Sequence, residues 1–116
     1  LDADLNFIKD ATLDAATEIE AITQFIIEQA AENVDFPNAA AVDYLSAVGL
    51  LSFAYMFAKI AAAAKDKSGD FYQNKLALAQ YFVDRILPEL DSRLAKIKAG
   101  SDLIMNFSED YFTNQA

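Results

Sequence analysis

The stretch FYQNKLALAQYFVDRILP, residues 71–88, couples a long helical hydrophobic pattern to a proline placed where the helix should still be running. Its apolar stripe continues past that proline. Tyr72, Leu76, Ala79, Val83, Ile86, Leu90, Leu94 and Ile97 recur at steps of three and four, the spacing of one helix face. Proline removes a backbone donor and crowds the preceding turn. The pattern therefore predicts a kinked continuous helix, or a tight break that keeps one face buried, with the register passing through Pro88 without a slip. Upstream, Lys67-Ser68-Gly69-Asp70 is a chain break, with Asp70 the expected N-cap of this helix. Downstream, Gly100 is the expected C-terminal cap, and Lys96 and Lys98 occupy the last turn, where cations favour the helix dipole.

Working outward, Leu5, Ile8, Ala16, Ile19, Ile26, Ile27 and Ala30 mark one amphipathic helix over Asp4 to Asn33, with Asp10, Asp14, Glu28 and Glu32 on the other side. Asp35-Phe36-Pro37-Asn38 stops it, because a proline pushes its predecessor out of the helical region and suits the first turn of the next helix. A second helix, about Asn38 to Lys65, carries Tyr44, Val48, Leu51, Tyr55, Ala58 and Ala62 on one face. Leu50, Phe53, Phe57 and Ile60 lie nearly opposite at about 100° per residue. A helix apolar on two faces needs cover on both sides. Leu103, Ile104, Phe107 and Tyr111 suggest a short last helix. Alternating strand patterns and internal repeats are absent from the sequence. Short loops make successive helices antiparallel, so residues 1–116 read as one all-α domain. It is an up-down helical bundle of three long antiparallel helices and a short C-terminal one.

The chain has 116 residues, 54% of them hydrophobic, enough for a core without cross-links. It has neither Cys nor His. That removes thiol chemistry, the commonest general base and the commonest transition-metal ligands. The lack of Cys is compatible with a reducing cytoplasm, the expected location. The net charge of −9 lies entirely in residues 1–45, which hold ten acids against Lys9 alone, while residues 46–116 hold eight acids and eight bases. Such a surface repels phosphate backbones and anionic lipid, so neither nucleic acid nor a membrane is an expected partner. The longest uncharged run, Tyr44 to Ala58, is 15 residues. It falls short of the roughly 20 that span a bilayer and reads as part of a buried soluble helix. The first residue is Leu1, with no basic segment before an apolar one, and the chain reads as a fragment without a signal peptide.

Candidate chemistry is sparse. The acids cluster on one outward face and lack the Glu-x-x-His steps of bundle di-metal sites, so no metal site is expected. Asp14 with Glu18, and Glu28 with Glu32, are four-residue acid pairs on an exposed face, where like charges only repel. Ser68-Gly69 lacks the glycine spacing of a phosphate loop, and Ser46, Ser52, Ser92 and Ser108 have no histidine to activate them. The aromatic set Tyr44, Phe53, Tyr55, Phe57, Phe71, Tyr81 and Phe82 is read mainly as core. Phe7 and Phe25 project about 200° from Leu5 onto the acidic side, where an isolated domain has nothing to pack on them. The expected interface residues are therefore Phe7, Phe25, Leu50, Phe53, Phe57 and Ile60.

The order of two aromatics, two polar residues, Lys75, Leu76, small Ala77 and Ala79, Tyr81-Phe82, Arg85 and Leu87-Pro88 resembles the C-terminal extension of one class of FAD-dependent acyl-CoA dehydrogenases. Gly100, twelve residues after Pro88, and the aromatic-rich helix Tyr44 to Ile60 fit the same pattern, so the resemblance covers roughly residues 38–107. It implies a parent flavoenzyme that oxidises the Cα–Cβ bond of an acyl thioester, with its catalytic carboxylate and FAD contacts in a preceding core. No residue here matches those roles, so the resemblance implies no catalytic, FAD-binding or metal residue in this chain. The implied partners are the dehydrogenase core of the same chain and, in a homo-oligomer, other subunits. A free-standing helical interaction module is the alternative, followed by a ligand-binding bundle with a pocket behind Tyr44, Tyr55 and Tyr81.

Overall fold

Breaks and caps divide the chain into long helices, and a computed structural model describes residues 5–105, with side chains through Leu103. Helix α1 spans Asn6–Glu32, α2 Phe36–Ala64, α3 Asp70–Tyr81, α4 Glu89–Ala99 and α5 Asp102–Met105, with a π turn at Phe82–Ile86 joining α3 to α4. All regular structure among the described residues is helical. The expected all-α bundle is correct, its third long helix being the bent α3–π–α4 rod. Leu103 belongs to α5 and is exposed; Phe107 and Tyr111 lie outside the described residues.

The turn between α1 and α2 is closed by Asn33. Its backbone N–H donates to Gln29 O at 2.9 Å, and its side-chain Oδ1 accepts from the Asp35 N–H at 3.0 Å. That closure lets α2 begin at Phe36, two residues earlier than the sequence suggests, with Pro37 in its first turn where no donor is needed. At the second turn the cap is Gly69 rather than Asp70. Gly69 takes φ +109°, a conformation that suits glycine, and Asp70 becomes the first residue of α3, where the helix dipole favours its charge. Gly100 caps α4 as expected, at φ +83°, above Lys96 and Lys98.

Helix α2 is central. Thr23 Oγ1 and Tyr44 Oη are 2.6 Å apart, and Thr12 Oγ1 lies 3.5 Å from Ala54 O, so α1 runs antiparallel to α2. On the other flank, Phe57 stacks on Phe82 at 4.9 Å between ring centroids, and Arg93 Nη1 pairs with Asp43 Oδ1 at 2.9 Å. Arg93 Nε also stands 3.3 Å from Glu89 Oε1, at ion-pair distance but not aligned as a hydrogen bond. Helix α1 and the α3–α4 rod are thus parallel to each other, astride α2. The layer is open: its radius of gyration is 19.2 Å, against about 13 Å for a compact domain of this length.

What α2 buries is mostly alanine. Ala40, Ala47, Ala54 and Ala61 follow one another at seven-residue steps, the last three with no exposed surface. Small side chains let two flanking helices approach one central backbone closely. Ile8, Ala15, Ile19 and Ile22 answer from α1, and Phe82, Leu87, Leu90, Leu94 and Ile97 from the rod. Of the expected stripe on α2, Tyr44, Val48, Leu51 and Ala58 are half-buried, but Tyr55 and Ala62 are exposed. On α1, Ile27 is likewise exposed.

The register does slip near Pro88. Leu87 N–H donates to Phe82 O at 2.8 Å, a five-residue step, and Leu90 and Asp91 then close three-residue steps onto Leu87 O and Pro88 O. The wider turn accommodates the missing proline donor and adds one residue to the loop of the helix. In consequence Leu87, 9% exposed, takes the inward position expected for Ile86, which is 41% exposed. The end of the rod is tied back to the first turn by Asn33 Nδ2, which donates to Ser101 Oγ at 2.8 Å, with Ser101 only 1% exposed.

Candidate interaction surface

The two broad sides of the layer differ in kind. On one side a groove separates α1 from α4. Its floor is Ile22, Phe25 and Leu94, its rims carry Glu18, Asp91 and Lys98, and its volume is ≈ 500 Å³. The exposed acids Asp14 and Asp91 continue the groove past Pro88. The charged residues lining this side are Asp14, Glu18 and Asp91 against Lys98.

The other side is the outer face of α2. Measured from the alanine seam at about 100° per residue, Val42, Leu45, Gly49, Phe53 and Met56 all fall within about 70° of the direction pointing away from the core. Val42, Leu45, Phe53 and Met56 are exposed, Phe53 to 60%. The edge beside it, on α3 and the π turn, exposes Phe71, Leu78, Tyr81 and Ile86. Single exposed apolar residues need no explanation, whereas several on one helix face make that face a candidate contact surface.

The six expected interface residues divide. Phe7 and Phe25, expected to find nothing in the chain to pack on, are both half-buried within it. Phe7 packs with the cluster of Ile8, Ala61 and Ala79, and Phe25 meets Phe36 edge to face at 5.6 Å. Helix α1 meets the rod as well as α2, so two of its sides are covered. Leu50 and Phe57 also pack against the core, and Ile60 is half-buried. Phe53 alone of the six stands clear. The aromatic set divides in the same way, with Phe82 buried, Tyr44 and Phe57 half-buried, and Phe53, Tyr55, Phe71 and Tyr81 exposed. Val42, Leu45 and Met56 were missed, although the alanine heptad opposite them was readable as the side where helices meet.

A shared tyrosine pocket does not form. Tyr44 is bonded to Thr23 and lines a recess of ≈ 410 Å³ with Ile26, Pro37 and Leu45. Tyr55 lies under Lys59 Nζ at 5.0 Å, and Tyr81 is exposed on the far flank. Among the described residues no group of three or more acidic residues is placed to hold a metal ion, and the exposed pairs Asp14 and Glu18, and Glu28 and Glu32, face solvent. By length and composition α2 could cross a bilayer, with mean hydropathy 1.7 over an 18-residue window of which 22% is buried. A soluble core helix passes the same test, and this one is flanked by α1 on one side and the rod on the other, with its outer face exposed.

A family model described as acetyl-CoA dehydrogenase C-terminal like matches residues 2–108. The chain belongs to this family. The match takes in α1 as well as the helices that carried the sequence resemblance, so the family pattern is the whole three-helix layer rather than residues 38–107. No curated protein and no solved structure matches the chain.

Proposed function

We propose that this chain is the non-catalytic helical domain of an FAD-dependent enzyme that oxidises acyl-CoA thioesters. In that enzyme it packs on the dehydrogenase core of the same polypeptide and supports contacts between subunits, in the cytoplasm. The observation that carries the reading is the family match over residues 2–108. The apolar edge of Phe71, Leu78, Tyr81 and Ile86 supports a packing role, since these side chains are exposed among the described residues. Chemistry is left to the parent: the sequence offers neither a phosphate loop nor a histidine base, and its net charge of −9 disfavours a pyrophosphate.

Two measurements test this. The coding sequence upstream of Leu1 should hold several hundred residues of dehydrogenase core, and a start codon directly before Leu1 would sink the parent. The isolated chain should show a cooperative helical melt that is unchanged by FAD or by acyl-CoA. A melting point raised by several degrees with either ligand would overturn the non-catalytic assignment.

A further inference from the structure

We infer that the outer face of α2 is a self-complementary surface that binds a second copy of this chain, antiparallel, about a two-fold axis through Gly49. The inference deepens the reading of the domain as a contact-making module by naming one partner and one surface.

The motive is the spacing. Relative to Gly49, the exposed stripe sits at −7 (Val42), −4 (Leu45), +4 (Phe53) and +7 (Met56). An isologous contact requires that residue i meet j and j meet i. A stripe that reads the same in both directions meets that condition on an antiparallel copy of itself, pairing Leu45 with Phe53 of the other copy and Val42 with Met56. Gly49 is where the two backbones come closest, and a Cβ built there meets nothing within 4 Å. Within one copy, therefore, nothing requires a glycine at this helical position, which ordinarily disfavours it. Close approach of a second backbone supplies the requirement.

Charge points the same way. Two chains of net charge −9 repel through most of their surfaces, but α2 carries only Asp43 and Lys59. Asp43 is turned inward onto Arg93, and Lys59 lies over the Tyr55 ring at the margin of the face. An antiparallel pair thus brings no like charges together along the axis. A stable dimer buries about 800 Å² per partner. Reaching that area needs contact along much of a helix about 44 Å long, which favours the shallow crossing of about 20° over a steep one. The seven-residue steps of Val42, Gly49 and Met56 are those of such a packing.

Sedimentation equilibrium of the 116-residue chain, from 1 to 100 μM, decides the matter. The expected result is a dimer that Gly49→Leu and Phe53→Asp each weaken at least tenfold, while Gly49→Leu keeps the helical circular dichroism and monomer melting point. Phe71→Ser, off the axis, should leave the dimer intact. A chain that stays monomeric throughout overturns the inference, including one whose outer face instead takes up the separately produced dehydrogenase core or neutral phosphatidylcholine vesicles. So does a dimer indifferent to Gly49→Leu. The parent reading falls separately, through the upstream sequence or an FAD-dependent melt, and neither outcome alters the sedimentation result.

Discussion

The inner and outer faces of α2 are both apolar, yet one is built of alanine and the other of valine, leucine, phenylalanine and methionine. Ala47, Ala54 and Ala61 vanish between flanking helices, and Phe53 on the same helix is mostly in water. Which face is buried is set by how closely neighbours can approach, and that depends on side-chain size. Hydropathy alone ranks the faces in the wrong order. A central helix clasped from two sides does best with small residues at the seam, because each large one holds its backbone away from both partners.

Substitutions on either side of α2 can break this contrast. The largest effect is expected at Phe82, fully buried and stacked on Phe57: Phe82→Ala should cost about 3–5 kcal/mol in urea unfolding. A loss near 1 kcal/mol would mean that the flank between α2 and the rod is not the core. Next comes the pair that straddles the π turn. Leu87→Ala should cost about 2–5 kcal/mol, and Ile86→Ala well under half as much, because Ile86 is already 41% exposed and Leu87 only 9%. Equal losses, or the reverse order, would restore the unslipped register.

Adding volume sharpens the comparison. Ala54→Leu inserts three carbons into a site with no free surface and should cost about 1–3 kcal/mol, measured by thermal melting. Unchanged stability would show that the seam is loose. At the bottom of the scale, Met56→Ser on the outer face should change the stability of single copies by no more than about 0.5 kcal/mol, provided unfolding is followed at nanomolar concentration where association is absent. A loss comparable to that of Ala54→Leu would mean that the face is covered within one chain.

Helix number, their order and their breaks were legible because they rest on periodicity and on Pro37, Gly69 and Gly100, whose effects are local. Three details were not. The slip at Pro88 is invisible because Ile86 and Leu87 are adjacent and both apolar, so either can continue the stripe; only the hydrogen bond from Leu87 to Phe82 O selects one. The exposed face of α2 is hidden in the sequence because a helix that is apolar all round has no polar side to orient it. Phe7 and Phe25 were placed in solvent because the angle around α1 says what lies opposite Leu5 but not how many neighbours α1 has. For the surface itself, Phe53 was readable as surplus to one stripe. Val42, Leu45 and Met56 emerge only once the alanines opposite are recognised as the seam.

The central position of α2 also bears on how the chain finds its fold. Both of its partners adjoin it in sequence: α1 is joined by the turn at residues 33–35, and α3 by residues 65–69. Each pairing can start from a short loop at small entropic cost and extend until residues as distant as Asp43 and Arg93 meet. Topologies dominated by such local pairing fold in microseconds to milliseconds. Because the same alanine seam serves both hairpins, whichever forms first leaves α2 ordered as a template for the other, so the two halves can assemble in either sequence.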